Sequence, residues 1–183
     1  MKVSEFVLAL INASGGTVRG RTMLQKKSFF VSQLGQIDVD LGYHAYYYGP
    51  YSAEIDGVLT RLKNLGFVEE ATTGFGVVSG GFEMRRYDYR LTDDGKRILE
   101  PLLQTAEYEA VQESVRRIQE AGDPNYFELS IAAKAYFILK KQGKEMSRTE
   151  LQREAQKFDW SIQENSLTSA VHFLERVGLA REE

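Results

Sequence analysis

The stretch YYYGPYSAEIDGVLTRLKNLGFVEE, residues 46–70, decides the fold. Its Gly-Pro pair at 49–50 predicts a turn, and Ser52 is a typical N-cap for a helix that starts directly afterwards. Apolar residues recur in this helix at every third or fourth position, which gives it one face to bury. Gly66 ends the helix, and a strand begins at Phe67. A capped amphipathic helix that leads directly into a strand is therefore the central unit of the chain.

Two further helices are predicted upstream of this unit. Ser4 can cap a helix over residues 5–13, and the T-x-x-Q spacing of Thr22 and Gln25 predicts a capping box at the start of a second helix. The aromatic residues 42–48 predict a short strand or extended segment.

Downstream, residues 84–91 alternate between polar and apolar and predict a return strand, with the Gly-rich residues 74–81 as the loop before it. The resulting order is helix, helix, short strand, helix and two-stranded hairpin. This is the order of a winged helix-turn-helix, so we expect a mainly α-helical protein with a small β-hairpin, whose first domain covers residues 1–92.

The remainder of the chain predicts helices only. Thr92 caps a connecting helix over residues 93–122, with a break expected at Pro101. A Gly-Asp-Pro boundary follows at 122–124, and residues 123–183 are predicted as a C-terminal module of three helices. Capping boxes are predicted in this module at Ser147–Glu150 and Ser161–Glu164.

Two segments of the chain are weakly similar to each other. VLTRLKNLGFVEE at 58–70 aligns with AVHFLERVGLARE at 170–182, and each is an apolar stripe that ends at a glycine. One interpretation is that the C-terminal module is a second, degenerate winged helix whose wing is cut off by the end of the chain. The other is that any amphipathic helix that ends at glycine shows this pattern.

Composition excludes several classes of protein. The 183 residues include no cysteine and carry a formal charge of −3. A disulfide scaffold, a cysteine-based zinc site and thiol catalysis are therefore excluded. No apolar run approaches the ~18 residues of a membrane span, and the short FVLALI segment at 6–11 lacks the features of a signal peptide. We expect a cytoplasmic protein that does not enter membranes.

Local clusters of basic residues favour DNA binding, although the chain as a whole is not basic. The stretch between Glu5 and Asp38 contains no acid, and the helix after Ser52 offers side chains suited to bases and phosphates. The predicted DNA contacts are Arg19, Arg21, Lys26, Lys27, Thr60, Arg61, Lys63, Asn64, Arg85 and Arg86. Glu54 and Asp56 argue against a standard major-groove reader, because they place negative charge in the first turn of that helix.

The aromatic run offers a second kind of surface. Five tyrosines fall within nine residues, 43–51, and tyrosine suits interfaces because it combines apolar area with a hydrogen-bonding tip. On an extended segment some of these rings must face outward. We predict a partner interface at Tyr46, Tyr48 and Tyr51, with packing in the core as the alternative.

No catalytic constellation is apparent. The motif GGTVRGRT at 15–22 has the spacing of a phosphate-binding loop, but Arg21 stands where that loop needs lysine, and no strand with a Mg²⁺-binding aspartate follows. The two histidines, His44 and His172, have no second ligand at metal spacing. We therefore expect neither enzymatic activity nor a metal or other cofactor.

Residues 20–30, GRTMLQKKSFF, and residues 46–70 resemble the poorly characterised YwgA-like proteins of bacteria and archaea. They are more loosely similar to the SocA-like antitoxin (Panacea) domain. The matching residues are Gly20, Arg21, Leu24, Gln25, Lys26, Tyr48, Gly49, Pro50, Tyr51, Ser52, Glu54, Leu59, Leu62, Gly66 and Phe67. The YwgA-like resemblance implies a winged-helix architecture and gives no catalytic or ligand residues to carry over, and the antitoxin resemblance implies a protein partner.

These observations predict a regulatory, non-catalytic winged-helix protein that binds double-stranded DNA. The alternative is a winged-helix module for protein–protein interaction, in an antitoxin-like or host–phage role. We also expect a homodimer, because a helix over residues 102–121 carries an apolar stripe outside the three-helix core. This stripe consists of Leu102, Ala106, Val111, Val115 and Ile118.

Overall fold

The helices and strands follow the predicted order in broad outline. A computed structural model describes residues 1–77 and 83–181. Its N-terminal part contains α1 (Val3–Ala13), β1 (Thr17–Arg19), α2 (Arg21–Leu34), β2 (His44–Tyr46), β3 (Gly49–Tyr51), α3 (Ala53–Asn64), β4 (Val68–Val77) and β5 (Glu83–Leu91).

The rest of the described chain is helical, and the protein as a whole is mainly helical with small antiparallel sheets. The helices are α4 (Asp93–Leu99), α5 (Ala106–Glu120), α6 (Tyr126–Gln142), α7 (Arg148–Gln156) and α8 (Glu164–Arg176). A 3₁₀ turn at Glu100–Leu102 separates α4 from α5, so the break predicted at Pro101 is confirmed. None of the helices in residues 1–77 and 83–181 is long and apolar enough to cross a membrane.

The larger sheet has three antiparallel strands in the order β1-β5-β4. Val18 of β1 lies opposite Tyr89 of β5, and Val68 of β4 lies opposite Leu91 of β5. All four side chains are buried, so one face of this sheet closes the core formed with α1 and α3. The sequence pattern missed β1, because three residues between two glycines are too few to show an alternation.

The first residues of the Gly-rich stretch that was predicted as a loop belong to a strand. β4 continues to Val77 with an irregular register after Gly74, and residues 78–82 lie outside the described residues.

The smaller sheet is a hairpin of two short strands, which we call the aromatic hairpin (residues 44–51). Tyr46 lies opposite Gly49, and Tyr47 and Tyr48 form the turn. The predicted positions were therefore wrong by two residues, because Gly49 begins the return strand instead of the turn. Its φ is +100°, and a Cβ atom there would come within 3.1 Å of the Lys134 Cγ, so both conformation and space require glycine.

Three of the predicted helix caps are confirmed. Ser52 accepts a hydrogen bond from the Ile55 N–H at 3.1 Å, and Thr92 accepts one from the Gly95 N–H at the same distance. Ser147 forms its capping box with Glu150.

Three other predicted caps are wrong. The N-cap of α1 is Lys2 instead of Ser4, and the N-cap of α8 is Gln163 instead of Ser161. α2 begins at Arg21 after Gly20, so Thr22 is already inside the helix. The Gln25 side chain is therefore free for a different role, described below.

One hydrophobic core extends through the described chain and crosses both predicted boundaries, near residues 92 and 122. Its members include Phe6 of α1, Leu99 of α4, Val111 of α5 and Leu129 of α6. α2 packs on both α5 and α6. The connecting helix and the C-terminal helices thus share their interior with the N-terminal part.

The structure does not support the argument for a homodimer. Val111, Val115 and Ile118 of α5 are each at most 1% exposed, because this helix packs on α1 and α2 of its own chain. Three of the five residues of the predicted stripe are therefore already covered, whereas Leu102 is half-buried in the turn before α5 and Ala106 is exposed.

The two similar segments end their helices in the same way. Gly66 after α3 has φ +76°, and Gly178 after α8 has φ +75°. In both, the next residue donates back into the helix, Phe67 to Leu62 and Leu179 to Leu174. The same bond closes α1 and α5, at Gly16 and Asp123, so the shared pattern describes a helix end that recurs throughout this protein.

Candidate interaction surfaces

The outward face of α3 was predicted to read DNA. Thr60, Arg61 and Asn64 are exposed on it. Lys63 is half-buried instead, and its Nζ lies 2.7 Å from the Glu70 carboxylate. Exposed Glu54 keeps negative charge at the start of this helix, so the α3 face combines few unpaired cations with an acidic first turn.

Two of the remaining cations of the predicted DNA surface, Arg86 and Arg21, have carboxylate neighbours. Arg86 makes two hydrogen bonds to Asp88, at 2.6 and 2.9 Å. Arg21 is exposed but lies 3.5 Å from Asp56. Arg19 is exposed on β1, and the side chain of Arg85 lies outside the described residues. Nearby acids therefore balance much of the positive charge on this side.

Lys26 and Lys27 do not face solvent, so the structure removes them from the predicted phosphate contacts. Lys27 is 9% exposed, and its Nζ lies 3.9 Å from Asp123. Lys26 is only 2% exposed. Because this stretch contains no acid, the sequence predicted that its lysines carry charge at the surface. The apolar residues around them instead pack in the core, and α2 is buried on that side.

The buried Lys26 amine holds the aromatic hairpin. Its Nζ donates a 2.6 Å hydrogen bond to the Pro50 carbonyl oxygen. Burial, together with the nearby Lys134 ammonium, lowers the pKa of Lys26 to about 7. No ion pair to Lys26 is found among residues 1–77 and 83–181. The hairpin is thus fastened by an amine whose charge is poorly compensated.

Two further side chains fasten the same hairpin. Gln25 donates to the Ser52 carbonyl oxygen and accepts from the Ser52 N–H, both at 2.9 Å. Trp160, far away in sequence, donates from Nε1 to the Tyr46 carbonyl oxygen at 2.7 Å. The hairpin is therefore held to α2 at one end and to the loop after α7 at the other.

Lys134 of α6 lies below the hairpin. Its Cγ approaches the position of a Gly49 Cβ, and its Nζ lies 5.6 Å from the centre of the Trp160 ring. The residue is 9% exposed, and burial lowers its pKa. Within the described ranges, Lys134 has no ion pair or hydrogen bond through its amine. We call the site formed by Gly49, Lys134 and Trp160 the lysine recess.

The tip of the aromatic hairpin projects into solvent. Tyr46, Tyr47 and Tyr48 are 49%, 77% and 65% exposed. The Tyr46 ring lies 4.8 Å from that of Tyr47 and 5.1 Å from that of Tyr51, measured between centroids. Tyr51 is half-buried and donates from its hydroxyl to Asp56 at 2.9 Å. The three predicted interface tyrosines thus lie together, and two of them are exposed.

Sequence reasoning missed three residues of this surface. Tyr47 is the most exposed ring of the hairpin, and its position within the tyrosine run was the available signal. Lys134 and Trp160 carried no such signal, because only the packing of α6 and the loop after α7 brings them to the hairpin.

The stretch resembling a phosphate-binding loop has a different context. Residues 6–11, a possible strand by sequence, belong to α1. The glycines at 15 and 16 therefore follow a helix, and the strand β1 comes after them instead of before. In the described ranges, no group of three or more His, Asp or Glu side chains is placed to hold a metal ion.

Comparisons with known proteins add no assignment to this geometry: no protein-family model matches the chain, and no curated protein matches it either.

Proposed function

We propose that this chain is a non-catalytic, cytoplasmic module of the winged-helix type that binds another protein through its aromatic hairpin. The order α1, β1, α2, α3, β4, β5 supports the winged-helix assignment, as does a sheet in which β1 pairs with β5. The resemblance of residues 20–30 and 46–70 to YwgA-like proteins points the same way.

The exposure of three adjacent tyrosines on a firmly held hairpin carries the proposal. Large rings that stay in solvent are unfavourable unless a partner covers them, and tyrosine is enriched at the centres of protein interfaces. The bonds from Gln25, Lys26 and Trp160 hold the hairpin before any partner arrives. A partner therefore meets a surface that needs little ordering, which favours affinity.

Regulatory binding to double-stranded DNA is the second candidate. The exposed Thr60, Arg61 and Asn64 on α3, with Arg19 on the adjacent sheet, favour it. It ranks second because phosphate contacts supply most of the affinity for DNA. Of the predicted cations, two are buried, and Arg21, Lys63 and Arg86 have carboxylate partners.

Cross-linking in a lysate of the native host, with wild type and a Tyr47→Ser/Tyr48→Ser variant, tests the first candidate. The matched control is Tyr87→Ser, which removes an exposed tyrosine from β5. A partner that wild type and control retain and the double variant loses is the expected result. Equal recovery by all three proteins would contradict the proposal.

Fluorescence anisotropy with a labelled 30-base-pair duplex tests the second candidate. DNA binding predicts an affinity that falls steeply with salt and weakens in Arg61→Ala. If the duplex binds at physiological salt and the tyrosine variant binds it normally, DNA becomes the leading candidate.

A further inference from the structure

The lysine recess is an unusual place for positive charge. Lys134 is about nine-tenths buried and makes no hydrogen bond or ion pair through its amine within the described ranges. Lys26 lies close to Lys134, and the repulsion between the two amines lowers the pKa of Lys26 further. Burying an unpaired ammonium is costly, so buried lysines are normally paired. Here the Trp160 ring faces the ammonium, and no carboxylate of the described residues balances its charge.

Aromatic side chains surround the recess. Gly49 joins it directly to Tyr48, and the Trp160 indole joins it to the main chain of Tyr46. On α6, Tyr126 lies two turns before Lys134 on the same helical face and is 58% exposed.

We infer that the protein partner presents an acidic side chain between apolar residues, and that its carboxylate enters the lysine recess while the hairpin tyrosines cover its neighbours. This inference rests on the proposed protein-binding function and names the chemistry of the partner. The recess supplies charge, and the rings supply apolar contact area.

The burial of Lys134 favours a protein segment over a nucleic acid. The residue is only 9% exposed, which suits a single flexible Glu or Asp side chain on an extended peptide. The phosphates of a duplex lie along a stiff backbone and are bound by several exposed cations. In the described part of this site the cations are Lys26 and Lys134, and both side chains are buried.

Peptide selection tests the inference directly. The probe is a phage-displayed library of random 12-residue peptides, selected on the full chain, and the winners are resynthesised with a fluorescent label. Binding is then measured to wild type, to Lys134→Met, to the Tyr47→Ser/Tyr48→Ser variant and to Lys140→Met. Lys140 is the control because it lies on the same helix and is exposed.

We expect selected peptides that carry Asp or Glu beside apolar residues. Changing that acid to its amide should weaken binding about tenfold, and Lys134→Met should weaken it to a similar degree. Once Lys134 is replaced, the acid-to-amide change should have little further effect, which is how a direct contact behaves in a double-mutant cycle. Lys140→Met should bind as wild type does.

Two other outcomes separate the inference from the proposed function. Peptides whose affinity depends on the tyrosines, but not on Lys134 or on the peptide's own acidic residues, would overturn the inference and leave the proposed function standing. Failure to select any tyrosine-dependent peptide, or displacement of the peptides by a DNA duplex, would overturn both. Circular dichroism of each variant verifies that the fold is retained.

Discussion

Gln25 and Ser52 are joined by two hydrogen bonds of 2.9 Å, one in each direction between the amide side chain and the main chain. Ser52 is at the same time the N-cap of α3. The pair therefore sets where the aromatic hairpin ends and where α3 begins, and it connects both to α2.

Replacement of Gln25 by leucine should destabilise the protein by about 1–3 kcal/mol, because it leaves the buried N–H of Ser52 unpaired. The Ser52 carbonyl oxygen also loses one hydrogen bond and keeps the one from the Asp56 N–H. Urea denaturation measures the loss. Gln112→Leu, at an exposed position of α5, should change the free energy of unfolding by less than about 0.5 kcal/mol. Similar values for the two variants would contradict this role of Gln25.

Two helical glycines should respond to alanine in opposite directions. A Cβ on Gly95 of α4 would lie 2.2 Å from the Phe67 carbonyl oxygen, whereas one on Gly57 of α3 would meet only the Arg61 guanidinium, at 3.8 Å. We expect Gly95→Ala to cost more than about 2 kcal/mol and Gly57→Ala to add about 0.5–1 kcal/mol. Thermal unfolding compares both with wild type, and a stable Gly95→Ala protein would refute the close approach of α4 to the start of β4.

The stability of the protein should rise with pH above neutrality. The pKa of Lys26 is about 7 when folded and near its ordinary value of 10.5 when unfolded. Between these values the unfolded chain holds the proton that the folded chain releases, so stability increases by up to about 1.4 kcal/mol per pH unit. Below pH 7 both states hold the proton and the slope from this group disappears.

Denaturation at pH 6.5, 8 and 9.5 measures this dependence. Lys26→Met should remove most of the slope, and Lys134→Met should reduce the repulsion that contributes to it. If wild type and Lys26→Met follow parallel curves, another group determines the pH dependence.

Trp160→Phe should loosen the aromatic hairpin without unfolding the protein. The phenyl ring retains contact with Phe158, on which Trp160 stacks, but the hydrogen bond to Tyr46 is lost. Amide hydrogen exchange should become faster in residues 44–51, with a global loss of about 1 kcal/mol. Phe137→Leu, which alters another ring packed on Trp160, should leave exchange in the hairpin nearly unchanged.

Lys134→Met should make the unbound protein more stable, by about 1 kcal/mol. Methionine fills a similar volume, keeps a contact with the Trp160 ring and removes a buried charge that has no carboxylate partner in the described residues. Differential scanning calorimetry measures the change. A lower melting temperature in this variant would mean that Lys134 contributes to the fold itself.

Local signals predicted much of the fold. The sequence predicted three helix starts correctly, at Ser52, Thr92 and Ser147, because a hydroxyl cap acts within four residues of its own position. The break at Pro101 was predictable because proline disrupts the helix at its own position. β1 and the exact turn of the aromatic hairpin escaped prediction, because their conformations depend on partners far away in sequence, Tyr89 for Val18 and Lys134 for Gly49.

The candidate site was harder to predict, and Lys26 shows why. A lysine in an acid-free stretch is normally solvated, so the pattern favoured a phosphate contact. In the fold, the long stem of Lys26 passes through apolar surroundings and its amine finds the Pro50 carbonyl oxygen. That outcome depends on the packing of α2 against α6, which no single segment of the sequence specifies.

The anchoring of one hairpin by Gln25, Lys26 and Trp160 affects how its binding can be mapped with fragments. A truncated chain of residues 1–92 would retain every tyrosine of the hairpin but lose the indole that holds Tyr46 and the helix that lies beneath Gly49. Such a fragment should fail to capture a partner although the contact residues are present. Deletion mapping would then wrongly assign the binding residues to the C-terminal third of the chain, which contains no hairpin residue. The binding surface should therefore be mapped with point variants of the intact chain.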